Sequence, residues 1–215
     1  MKANAKEILT AVDNEIKLSE RSTEIDIKNQ APEMREITSA LKTTIRANNL
    51  TYLSAPSIGY QRRIFAINFK DVEIKTFINP IITNATGLHL SKETSHVIPG
   101  KTYLRPRNTQ IDVMYQKPTG QTQSRRLSGL AADIFQQCMD DIDGILLSDI
   151  GLELDDNWDS LTERDQQEVI NLYLDSLDLK QKQMQEEIKN NEELKQMDDA
   201  IEFMTSVYKG ETKLE

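Results

Sequence analysis

What most limits the folds open to this chain is a change of periodicity near residue 128. Between residues 53 and 127 the apolar side chains come in short β-branched and aromatic runs divided by turn residues; beyond that they come at helical spacing. Runs 63–69 and 75–79, bounded by Gly59 and Pro80, read as strands, as do 81–83, 88–90 and 110–115. Lys117-Pro-Thr-Gly120 is a turn signal, which makes 122–127 the returning arm of a hairpin. Ser128-Gly129 then introduces a helix over 130–141, with Ala131, Ile134, Phe135, Cys138 and Ile142 at 3/4 spacing and Gly144 ending it. Many strands followed by one helix predict an α+β domain whose helix packs on antiparallel sheet.

The flanks are helical by the same test. Residues 1–18 space Ala5, Ile8, Leu9, Val12 and Ile16 as a short helix. Pro32 opens a second, with Met34, Ile37, Leu41 and Ile45 on one face, and Asn48-Asn49 stops it. Residues 151–215 carry 18 Asp/Glu against 7 Lys/Arg, a net of −11; the whole chain is −9, which leaves +2 for residues 1–150. So acidic a segment argues against nucleic acid as its direct partner, and its plain reading is a solvated helical face. Ser160 or Asp159 is the expected N-cap, with Glu163 placed for a capping box. Apolar positions follow at Ile170, Leu174, Leu177, Met184 and Ile188, then at Leu194, Met197, Ile201, Met204 and Tyr208, the second run matching a coiled-coil seam. Asn190-Asn191 is expected to bend or divide that helix. So narrow a seam must bury against something, either the chain's own domain or other protein subunits.

A chain of 215 residues suits one globular domain plus an appendage. The expected division is an N-terminal helical segment (1–19), the α+β domain (20–150) and an acidic helical extension (151–215). No apolar run approaches the roughly 20 residues that span a bilayer. Residues 1–10 lack the apolar stretch of a secretory signal, and the lone Cys138 rules out an internal disulfide, so a reducing compartment such as the cytoplasm is expected.

Three separated segments carry a family resemblance. Leu50-Thr-Tyr-Leu-Ser-Ala-Pro-Ser-Ile-Gly59 resembles GxGLAAPQIG, Glu93-Thr-Ser-His-Val-Ile-Pro-Gly100 resembles EGCLSxPG, and Gln136-Gln-Cys-Met-Asp-Asp-Ile-Asp-Gly144 resembles QHExDHxxG. These are the peptide deformylase motifs in the family's order; Ile78-Asn-Pro80 and Arg105-Pro106 fit as well. The resemblance spans about residues 20–150 and implies antiparallel sheets packed around a central helix, with the C-terminal helices as an extension.

In that family a divalent metal is held by the cysteine of the second motif and both histidines of the third. Carried onto this chain, those positions are Ser95, Gln137 and Asp141. A hydroxyl and an amide are poor donors to iron or zinc, and one carboxylate does not replace a thiolate and two imidazoles. Cys138 stands where the family has its acid/base glutamate, and Ser57 where it has the glutamine that stabilises the oxyanion. Leu50 and Tyr52 replace two motif glycines, and Tyr52 is expected to fill space where substrate would pass. Kept instead are Leu53, Ala55, Pro56, Ile58, Gly59, Glu93, Pro99, Gly100, Asp140 and Gly144, which set turns and packing.

The remaining polar residues have plainer roles than ligation or catalysis. Strand alternation is expected to keep His96 and Ser95 from both reaching the pocket, so His96 reads as structural; nothing ties His89 to the site. Cys138, with no histidine partner in view, reads as a buried thiol. Asp140, Asp141 and Asp143 are spread around one helix rather than gathered on a cation, and Asp140 is expected to make a structural hydrogen bond. Fold residues kept while chemical residues are lost together is the pattern of a pseudoenzyme. The expectation is therefore a catalytically inactive, cofactor-free module acting through other protein subunits in a larger assembly. Divergent members of the resembled family occur in tailed phages, which points to a virion tail or baseplate. The contrasting reading is an active hydrolase that removes formyl from N-terminal Met with a non-standard metal site.

Overall fold

The computed structural model describes residues 4–69 and 73–208; the side chains of residues 193, 194 and 196–208 lie outside that description. Two compact units divide the chain, Met1–Asp156 and Asn157–Glu215.

The first unit is built on two antiparallel sheets. Strands β1 (Tyr52–Ser54), β2 (Ile64–Ile67), β3 (Lys75–Thr86), β6 (Gln110–Gln116) and β7 (Thr122–Ser128) form one, in the order β1-β2-β3-β6-β7. Strands β4 (His89–Ser95), β5 (Ile98–Arg107) and β8 (Leu152–Leu154) form the other, in the order β4-β5-β8. Helix α2 (Ala31–Asn48) covers one face of the larger sheet and α3 (Leu130–Asp143) the other. That double cover explains the unbroken apolar run of β2. Ile64 and Ala66 pack with Ile37, Leu41 and Ile45 of α2, whereas Phe65 and Ile67 pack with Phe135 and Cys138 of α3. Phe135 meets Phe65 and Phe77 edge-on, with ring centroids 5.0 and 5.2 Å apart.

Several elements depart from the sequence expectation for visible reasons. Pro80 does not bound a strand: β3 runs through it, because Asn79 takes φ 47° and the pairing with β6 slips between Ile78 and Ile81. This is a bulge, one of the few places a sheet tolerates proline. The first helix is only Ala11–Leu18 (α1), since the chain before it is held extended by Leu9 N–H on the Ser57 carbonyl and Ala11 N–H on that of Val97. Val12 and Ile16 consequently face solvent, 90% and 85% exposed. A short helix α4 (Leu147–Ile150) leads into β8, which lies past residue 150 yet pairs with β5.

In the second unit a turn at Trp158–Ser160 precedes α5 (Glu163–Tyr208), a single helix that continues through Asn190-Asn191 instead of dividing there. Its N-cap is Thr162, not Ser160 or Asp159. The Thr162 Oγ1 accepts from Asp165 N–H at 3.2 Å and donates to the Asp165 carboxylate at 2.7 Å. Ile170, Leu174 and Leu177 are half-buried, whereas Met184 and Ile188 are 56% and 52% exposed. Leu194, Met197, Ile201, Met204 and Tyr208 fall on the helix, but their side chains lie outside the described residues. Among the described residues no helix is long and apolar enough to cross a membrane.

Candidate functional site

The three motif segments converge on one face of α3. Alternation along β1 sends Leu53 to the α2 layer and Tyr52 to the α3 layer. The turn Pro56–Ile58 then returns Ser57 beside Ser54, their hydroxyls sharing a buried hydrogen bond of 2.6 Å. Ser57 is therefore occupied by its neighbour. At the end of β4, Ser95 pairs with Ile98 across a tight turn, and its Oγ accepts the Val97 N–H at 3.3 Å. His96 lies in that turn, outside the strand alternation that was expected to turn it away. Its ring sits 5.0 Å from the Tyr52 ring. Burial pushes its pKa down, and its buried Nε2 has no partner among the described residues.

On α3, the Gln137 Nε2 donates to the Thr94 carbonyl at 2.9 Å. Cys138 is fully buried, and burial, with the Asp141 carboxylate next, drives its thiol pKa well up. Burial also lifts the Asp141 carboxyl from 3.8 to about 7, opposed by a hydrogen bond from Ser54 and helped by nearby Asp140. The Tyr52 hydroxyl donates to the same Thr94 carbonyl at 3.4 Å and makes a hydrogen bond with Ser95.

Behind this face runs a charged cluster that sequence reasoning missed in part. Arg107, on β5, grips Glu93 of β4 through Nε and Nη2 at 2.7 and 2.8 Å, and reaches Asp140 of α3 through Nη1 at 2.6 Å. Burial opposes the guanidinium charge, but the two carboxylates outweigh it and the pKa rises. Asp140 thus has its expected structural hydrogen bond. Asp143 instead meets Arg63 and Arg21, at 2.5 and 3.3 Å, so Asp140, Asp141 and Asp143 serve three separate environments and do not gather on one cation. His89 Nε2 donates to the buried Asp133 carboxylate at 2.8 Å. Nothing local in the sequence marks Arg107 or Asp133; their partners come from other elements. Beside β4 remains a cavity of about 200 Å³, lined in part by Thr51, Tyr52, Glu93, Asp133 and Gln137.

The metal that the motifs imply can be tested against these side chains. The Ser95 hydroxyl is engaged by backbone and phenol, the Gln137 amide nitrogen is turned onto a carbonyl, and Asp141 is half-neutral near pH 7. Among the described residues no three His, Cys, Asp or Glu side chains gather as a ligand set. The donors present do not fit iron or zinc.

Two antiparallel sheets around a central helix, with the three motif segments meeting on that helix, define a deformylase-type α+β fold. The polypeptide deformylase family model matches residues 5–155, and the chain belongs to that family. A peptide deformylase of Dictyoglomus thermophilum is 30% identical over 120 residues, covering 56% of this chain and 78% of that protein. A peptide deformylase-like protein of Agrobacterium fabrum is 32% identical over 115 residues, covering 52% and 69%. The solved peptide deformylase of Legionella pneumophila shares the fold at TM-score 0.62 and 20% identity, covering 78% of this chain and 96% of its own. That of Thermus thermophilus matches at TM-score 0.55 and 28% identity, covering 66% and 83%.

Proposed function

We propose that this family member is catalytically inactive and acts by binding, as a structural or protein-interaction module of a larger assembly. One observation carries the reading: every position matching a family donor or the acid/base bears a different type of side chain, and most of these are committed to internal contacts. Without an ion there is no activated water, and a buried thiol with a raised pKa at position 138 does not replace a carboxylate base. The partners proposed are other protein subunits, met through the α5 seam at Ile170, Leu174, Leu177, Leu194, Met197, Ile201, Met204 and Tyr208. The exposure of Met184 and Ile188 on that helix supports this. A tailed-phage tail or baseplate is the assembly proposed, on the family resemblance alone, with the cytoplasm as the site of synthesis.

The test is elemental analysis of protein purified without chelator and then dialysed against iron(II), nickel or zinc. The reading expects far less than one equivalent of tightly held metal. One equivalent that survives dialysis overturns it.

A further inference from the structure

We infer that the phenol of Tyr52 has taken the place of the catalytic ion, so that the chain carries its own plug at the point where the motif positions converge. Tyr52 stands on β1 facing α3, only 7% exposed, at a position where the family motif has glycine. Its hydroxyl reaches the Thr94 carbonyl, which also receives the Gln137 amide. It also hydrogen-bonds Ser95, and Asp141 and Cys138 lie close enough for their charged forms to act on it. Tyr52 therefore lies among the positions that match the family's site: its hydroxyl bonds Ser95 and shares the Thr94 carbonyl with Gln137, and its ring packs in one cluster with Cys138. The His96 ring lies 5.0 Å from the Tyr52 ring, tilted 40° to it.

A ligated zinc ion sits about 2.0–2.3 Å from each donor. A phenol held by hydrogen bonds in the same space leaves no room for that approach. Nor is the phenol free to act as a ligand itself, since its hydroxyl is spent on the Thr94 carbonyl. Glycine at this position would leave the space open. Restoring the donors is consequently not enough to restore the metal.

This rests on the non-catalytic reading, and its test separates the two. Cobalt(II) binding is compared, by titration and by the thiolate-to-cobalt absorption band, in two variants. The first combines Ser95→Cys, Gln137→His, Cys138→Glu and Asp141→His; the second adds Tyr52→Gly. The second should bind cobalt on the order of 100-fold more tightly than the first. Equal affinities, or one equivalent bound with Tyr52 in place, would overturn the plug while leaving the unaltered chain's inactivity untouched. A second measurement avoids the heavily altered variants. Tyr52→Gly alone should open a cavity that accepts p-cresol, the missing side chain, so that Tm rises with p-cresol in the variant but not in the unaltered chain. No rise in the variant counts against the plug.

Discussion

Asp141 carries a carboxyl whose titration the interior has moved far from its ordinary range. A carboxyl raised to about 7 is protonated in the folded chain over a range where the unfolded chain, near 3.8, has already lost its proton. The folded state then binds more protons, so this group's stabilisation is full below about pH 4, falls as pH rises to about 7, and is gone above. The swing is on the order of 4 kcal/mol. Asp141→Asn should flatten the fall between pH 4 and 7 and make the variant the more stable at pH 8, as urea unfolding at several pH values will show. Arg107 predicts the opposite kind of change. Arg107→Ala leaves Glu93 buried without its cation, and Asp140 with only Arg105 at 4.0 Å, and should cost about 3–5 kcal/mol at pH 7, measured by the same unfolding. Arg126→Ala, at an exposed pair with Asp112, should change little. That residues 95, 137 and 141 differ in type from the family's donors was legible in the sequence, because ligand chemistry belongs to residue type. It did not show what the replacements do, because Arg107, Asp133 and the Tyr52 hydroxyl find their partners on other strands and on α3.

At the level of elements, the legible parts were those whose periodicity is local. The apolar run of β2, the hairpin of β6 and β7, and α3 with its terminal glycine follow from spacing alone. β5 was hidden by Pro99, Gly100 and Pro106: the first two fall in the irregularity between Ile98 and Thr102, while Pro106 is carried opposite Leu90 of β4. α1 was overextended because backbone hydrogen bonds to Ser57 and Val97, invisible to periodicity, hold residues 9 and 11 in place. The end of α3 supplies a prediction of its own. Gly144 has φ 75°, and an added Cβ would stand 2.4 Å from the Ser19 carbonyl oxygen. Gly144→Ala should therefore destabilise by more than about 1 kcal/mol in a thermal melt. Gly100→Ala, with a similar φ of 81° but nothing near its Cβ, should lose less.

For the whole molecule, the match to the deformylase family ends at residue 155, beside the boundary between the two units. A chain ending at Asp156 should fold on its own and unfold in one cooperative transition; with α5 as the proposed docking element, sedimentation should show association by the full chain and none by the shortened one. Retained association would place the binding surface in the first unit. The charge imbalance of the C-terminal segment was plain in the sequence, whereas its continuity as one helix through Asn190-Asn191 was not, since two asparagines weaken a helix without ending it. The claim beneath all of this is that the scaffold has kept its shape and lost its reaction. Its most direct test is hydrolysis of a formyl-Met peptide by the unaltered protein, supplied with excess iron(II) or nickel. The account predicts a rate no greater than that of the metal and peptide alone; saturable turnover that Asp141→Asn abolishes would contradict it.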